Sequence, residues 1–157
     1  MNCFGGILDP STYNLEKPIG ILEDKKTILT AHGVSSADQL TLLGIDCRLL
    51  SVFCTSKSED YGGFIVVFDY LHFCSDKELM DAIIWHEIGH LHNPVTLNTF
   101  NIDAEIACDR IAFENSGPAG ILLLLHKTKE MGKTLGNQLL VELTNQRLDA
   151  LSTYKCV

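Results

Sequence analysis

No stretch of this chain is apolar for long. Its longest purely aliphatic run, ILLLL at 121–125, is followed at once by His126 and Lys127, and falls far short of the roughly 20 residues that a membrane-spanning helix needs. The first residues, MNCFGGILDP, lack a basic region followed by a long apolar one. The closing YKCV places Cys156 second from the end, where a prenylation signal needs it fourth. Neither a signal peptide nor a membrane anchor is therefore expected.

Basic runs are also missing. The longest is the pair Lys25–Lys26, in a chain with 20 acidic and 12 basic residues and a net charge of −8. Phosphate backbones are held by basic surfaces, so a nucleic-acid partner is not expected. The six cysteines form no C-x-x-C pair and most sit among apolar neighbours. They read as buried thiols in a reducing compartment, with a disulfide pair as the alternative, and a cytoplasmic location is favoured.

Repeats, low-complexity segments and a Pro/Ser-rich linker are absent as well. At 157 residues and 46% hydrophobic composition the chain suits one domain, 1–157, large enough for a real core. Residues 1–20, with Gly5, Gly6, Pro10, Pro18 and Gly20, read as an irregular N-terminal segment.

What is present begins with a short helix at 36–43, where Ser36 can cap and leucines recur at helical spacing. Two β-rich runs follow, DCRLLSVFC at 46–54 and FIVVFDY at 64–70, joined by a polar, glycine-containing connection that suggests a hairpin. FIVVF does not alternate, so it should be covered on both faces. Ser75 and Glu78 have capping-box spacing and open a helix expected to stop near Asn93, before Pro94. Three further helices are expected at about 101–115, 119–131 and 136–151.

The capped helix carries WHEIGHLHNP at 85–94. Residues four apart share a helix face, so His86 and His90 project together, as two imidazole ligands of a tetrahedral Zn²⁺ must. Glu87 stands about 100° around the axis, within reach of an attacking water without being forced to ligate, and its natural role is general base. His92 is about 200° from His90 and reads as a surface histidine at a helix end. Gly89, inside the helix at a cost of roughly 1 kcal/mol, calls for a packing or functional reason.

A third ligand must come from elsewhere. The helix at 101–115 offers Asp103, Glu105 and Asp109, and of the last two, four apart on one face, one can bind metal while the other orients a ligand histidine.

HEIGH at 86–90 followed by EIACDRIA at 105–112 resembles the gluzincin zinc metallopeptidases, whose later helix carries E-x-x-A-D-x-x-A, and in particular their small soluble one-domain forms, the minigluzincins. The match spans about residues 75–113 and implies an α+β, zincin-like domain, with a small sheet packed on the H-E-x-x-H helix and a helical second half. It implies one Zn²⁺ per chain on His86, His90 and Glu105, with Glu87 as base and Asp109 as the carboxylate behind a ligand histidine. Cys108 replaces the usual alanine, a small-for-small change.

The implied activity is metal-assisted hydrolysis of a protein or peptide substrate, laid as an extended strand along FIVVFDY or DCRLLSVFC. His126, Tyr154, Tyr61 and Arg110 are chemically able to stabilise an oxyanion, and none is singled out. Two other functions fit the same residues: a non-catalytic, zinc-stabilised protein-binding module, or a helical regulator without metal. Cys3 is a further candidate, as a thiol able to occupy the fourth zinc position and hold the site latent.

Overall fold

Phe64 to Val67 explain the two-sided burial expected of their strand. In the computed structural model, which describes residues 3–95 and 100–154 and side chains from residue 5 onward, this strand splits the core in two. Alternate side chains of a strand point to opposite faces. Ile65 and Val67 enter one apolar cluster with Ile83, Ile84 and Leu125, while Val66 enters another with Ile28, Leu40 and Val52. Burying each such side chain contributes about 1.5–3 kcal/mol, so one short strand anchors both layers.

The fold is α+β. In chain order, the described elements are β1 (Cys3–Leu8), α1 (Pro10–Tyr13), β2 (Ile19–Glu23), α2 (Lys25–Ala31), α3 (Ala37–Leu43), β3 (Ser51–Thr55) and β4 (Gly63–Val67). Then come α4 (Tyr70–Phe73), α5 (Lys77–Gly89), α6 (Ile102–Ser116), α7 (Pro118–Thr134) and α8 (Gln138–Tyr154). The sheet order is β1-β2-β4-β3, with β2 and β4 parallel and the other two pairings antiparallel. The expected hairpin is therefore β3–β4, and β3 lies at the sheet edge. The residues before it, Cys47–Leu49, form a 3₁₀ turn capped by Asp46 rather than strand.

The N-terminal segment is not irregular. β1 pairs with β2 over most of its length, with one bulge between Phe4 and Gly6, and Asp9 caps the single turn of α1. Gly5 and Gly6 suggest a break, but they serve a close approach: a Cβ on Gly5 would lie 2.5 Å from the Tyr70 ring. Glycine within a strand commonly marks such contact.

The start of α5 also differs from the capping-box expectation. Asp76, not Ser75, caps it, accepting from the Leu79 amide at 3.1 Å. Ser75 donates its hydroxyl to the His72 carbonyl instead and so closes the short α4. At the other end α5 finishes at Gly89, and tighter turn hydrogen bonds carry the chain through His92 and Asn93 to Pro94. Among the described residues, no helix is long and apolar enough to cross a membrane.

Candidate metal centre

The cost of Gly89 is explained by what crosses it. A Cβ there would lie 2.9 Å from Cys108 Sγ and 3.0 Å from Cys108 Cα, so the missing side chain lets α6 run directly against α5. Two i,i+4 pairs then face one another, His86 of α5 with His90 at its C-cap, and Glu105 and Asp109 from α6. All four meet with Glu87 in one buried or half-buried cluster.

Each histidine is held at its Nδ1. His86 Nδ1 lies 2.9 Å from Asp109 Oδ1, and His90 Nδ1 lies 3.0 Å from the Asn93 carbonyl. Both partners accept only, so each Nδ1 is the donor in its contact and each Nε2 is the nitrogen left to face Glu105. Those Nε2 atoms lie 3.4 Å from Glu105, His86 facing Oε1 and His90 facing Oε2. Glu87 Oε1 stands 3.8 Å from His86 Nε2.

Cys108 matters more than a small-for-small replacement suggests. It is fully buried, and its sulfur lies 3.5 Å from His90 Nδ1. His86, His90 and Cys108 form a buried cluster that could bind a metal ion. Cys108 and Glu105 thus approach His90 at different ring nitrogens. The four cysteines with described side chains, Cys47, Cys54, Cys74 and Cys108, are free thiols, and Cys3 and Cys156 lie outside the described side chains.

Without a metal the cluster draws in protons. Burial alone would lower the His86 pKa, but its contacts with Asp109 and Glu105 outweigh this and push it up to about 10. Burial raises the Glu87 carboxyl, with the nearby histidines pulling the other way. Glu105 and Asp109 are also pushed up by burial, yet both end below their usual values, Glu105 through His86 and Asp109 through Arg147. Burial, together with the adjacent carboxylates, holds the Cys108 thiol proton on.

Arg147 of α8 belongs to no motif in the sequence. It is 8% exposed and grips Asp109 with both ends of its fork, Nε to Oδ2 at 2.8 Å and Nη2 to Oδ1 at 2.7 Å. One signal could have found it, because Val141, Thr144, Arg147 and Leu151 form the buried stripe of α8 and put a charge at a core position. His92 and Asp103 are exposed and outside the cluster.

Two recesses open onto the centre. One, of about 290 Å³, joins His86, Glu87, Glu105 and Arg147 to apolar walls that include Ile83, Leu124 and Leu140. The other, of about 160 Å³, runs from Glu87, His90 and Glu105 to Ser51, Val52 and Phe53 of β3. His32 lines both. It is exposed, yet enclosed enough that burial lowers its pKa, with the Ser51 carbonyl opposing.

None of the four oxyanion candidates from the sequence lines these recesses. His126 borders a separate one beside Asp46, Tyr61 packs on Phe64, and Tyr154 lies against Phe113 and beneath the Arg110 guanidinium. No protein-family model matches the chain, and no curated protein or solved structure is significantly similar to it.

Proposed function

We propose that this protein is a zinc-dependent metallopeptidase of the gluzincin type, with a zincin-like fold and one Zn²⁺ per chain on His86, His90 and Glu105. The observation that carries this reading is the placement of Glu105, which presents one carboxylate oxygen at 3.4 Å to each Nε2. In a tetrahedral site with bonds of about 2.0–2.1 Å, neighbouring ligand atoms lie about 3.3–3.4 Å apart. Each contact has the length of one such edge, and a tetrahedral site would take one of the two oxygens as its ligand. Charge points the same way. With both histidines neutral as ligands and Glu87, Glu105 and Asp109 ionised, three negative charges would face the single positive charge of Arg147. A divalent cation would balance the difference, taking the place of the protons that the metal-free cluster draws in.

Cys108 is not the third ligand in this reading. Its sulfur approaches His90 at Nδ1, which already donates to Asn93, and one imidazole gives a metal one nitrogen.

Bound there, Zn²⁺ supplies Lewis acidity to the scissile carbonyl and to the attacking water. Glu87 lies beside the ligand triangle and takes the water's proton. The same carboxyl would return that proton to the leaving amine. His32, at the mouth of both recesses, offers a neutral N–H to the carbonyl oxygen as negative charge builds. The edge of β3 carries an extended peptide by backbone pairing, and the apolar recess takes one of its side chains.

The test begins with protein purified without chelator or polyhistidine tag, which should hold about one zinc per chain. Glu87→Gln should abolish cleavage of denatured casein while zinc stays bound. Cleavage retained in that variant removes Glu87 as base. A zinc-loaded wild-type chain that cleaves nothing becomes the non-catalytic binding module instead.

A further inference from the structure

Arg147 is an expensive residue to place where it stands. A buried guanidinium loses its hydration, and exchanging a buried ion pair for apolar residues is often neutral or stabilising. Docking α8 onto α6 therefore gives no reason for a charge at this position, since its neighbours Val141 and Leu151 dock the same stripe without one.

What the arginine does control is a carboxylate. Asp109 is fully buried and uses both oxygens: Oδ1 meets His86 Nδ1 at 2.9 Å and Arg147 Nη2 at 2.7 Å, and Oδ2 meets Arg147 Nε at 2.8 Å. With His86 alone, Asp109 would have one contact and a broad terminal torsion. The planar fork of Arg147 fixes the carboxylate plane, and a lysine cannot do this because its ammonium is a point charge on a flexible stem.

Resting on the zinc reading above, we infer that Arg147 is a positioning residue for the metal, acting through Asp109 to hold His86 with Nε2 turned toward Glu105. The chain Arg147–Asp109–His86 runs from α8 through α6 to α5, so the docking of the last helix sets the aim of the first ligand. Arg147 itself does not ligate.

The full-length chain tests this with Zn²⁺ alone, by chelator competition, and with Co²⁺ alone, by its visible absorption. Arg147→Met should weaken zinc binding about 10–100-fold, the range for partners behind a ligand, and alter the cobalt spectrum. Arg147→Lys should fall between Met and wild type. Asp109→Asn should weaken binding comparably, and adding Arg147→Met to it should cost little more, because both act through one contact chain. Wild-type zinc affinity and an unchanged cobalt spectrum in Arg147→Met overturn the inference, as do losses that multiply in the double variant. If Arg147→Met does not fold, the same cycle is read with Arg147→Lys. A wild-type chain that binds neither ion overturns the zinc reading and this inference with it. Zinc bound equally well by wild type and Arg147→Met overturns the inference alone.

Discussion

Gly89 and Cys108 meet where α5 crosses α6, with room for a hydrogen and none for a methyl group. This contact sets the distance between the two helices that position His86, His90, Glu105 and Cys108.

Gly89→Ala should therefore be destabilising although alanine is the better helix former. Helix propensity gains at most roughly 1 kcal/mol, the value for a helix interior, because Gly89 is the last residue of α5. A Cβ at 2.9–3.0 Å from Cys108, part of it backbone, costs about 1–3 kcal/mol of overpacking. A net loss of about 1 kcal/mol in urea unfolding is expected, with weaker zinc binding as Glu105 is pushed away from the histidines. A variant more stable than wild type, with unchanged metal affinity, would contradict the close crossing.

The two candidate third ligands separate by substitution. Glu105→Ala should weaken zinc binding by more than about 100-fold, beyond the range for partners behind a ligand, whereas Cys108→Ala should stay within about tenfold of wild type. Chelator competition reads both. The reverse order would assign the metal to the His86, His90 and Cys108 cluster.

The two sides of this centre are unequally legible in the sequence. His86, His90, Glu105 and Asp109 can be paired because each pair repeats every four residues within one helix, a relation that survives without knowledge of the tertiary structure. Arg147 cannot, since its partner Asp109 is 38 residues away on another helix. β1 is hidden for a similar reason: Gly5 and Gly6 look like chain breakers until Tyr70 is seen lying over them. At α5 the sequence points to Ser75 as the cap, but the unforeseen α4 claims the serine and its neighbour Asp76 caps instead. His32 gives no local sign at all. Its place at the recess mouth follows from how α2 and β3 pack.

His32→Ala should leave zinc affinity unchanged, because His32 stands outside the ligand cluster. Casein cleavage should fall in kcat, with KM little altered, by about 10²–10³-fold, the usual loss for one oxyanion donor. A change confined to KM would make His32 a substrate contact rather than the oxyanion donor.

Away from the metal, Asp46 gives a pH signature of the fold. It caps the turn Cys47–Leu49, pairs with Arg48 at 2.7 Å and lies 3.3 Å from Lys127 of α7. Burial pushes its carboxyl up, but hydrogen bonds from the Arg48 side chain and amide outweigh this and hold it at about 2, against an ordinary 3.8. A carboxyl lowered on folding contributes stability that is complete above its unfolded pKa and is lost as pH falls through its folded one. The Asp46 contribution should therefore be constant above pH 4 and decline from there toward pH 2. The carboxylate is partly exposed, so screening limits the effect to about 1 kcal/mol. Metal-free wild type and Asp46→Asn, compared by urea unfolding across this range, should differ at pH 6 and converge near pH 2. A difference that persists unchanged at pH 2 would mean that the amide substitution disrupts the turn itself, rather than that the charge of Asp46 ties it to α7.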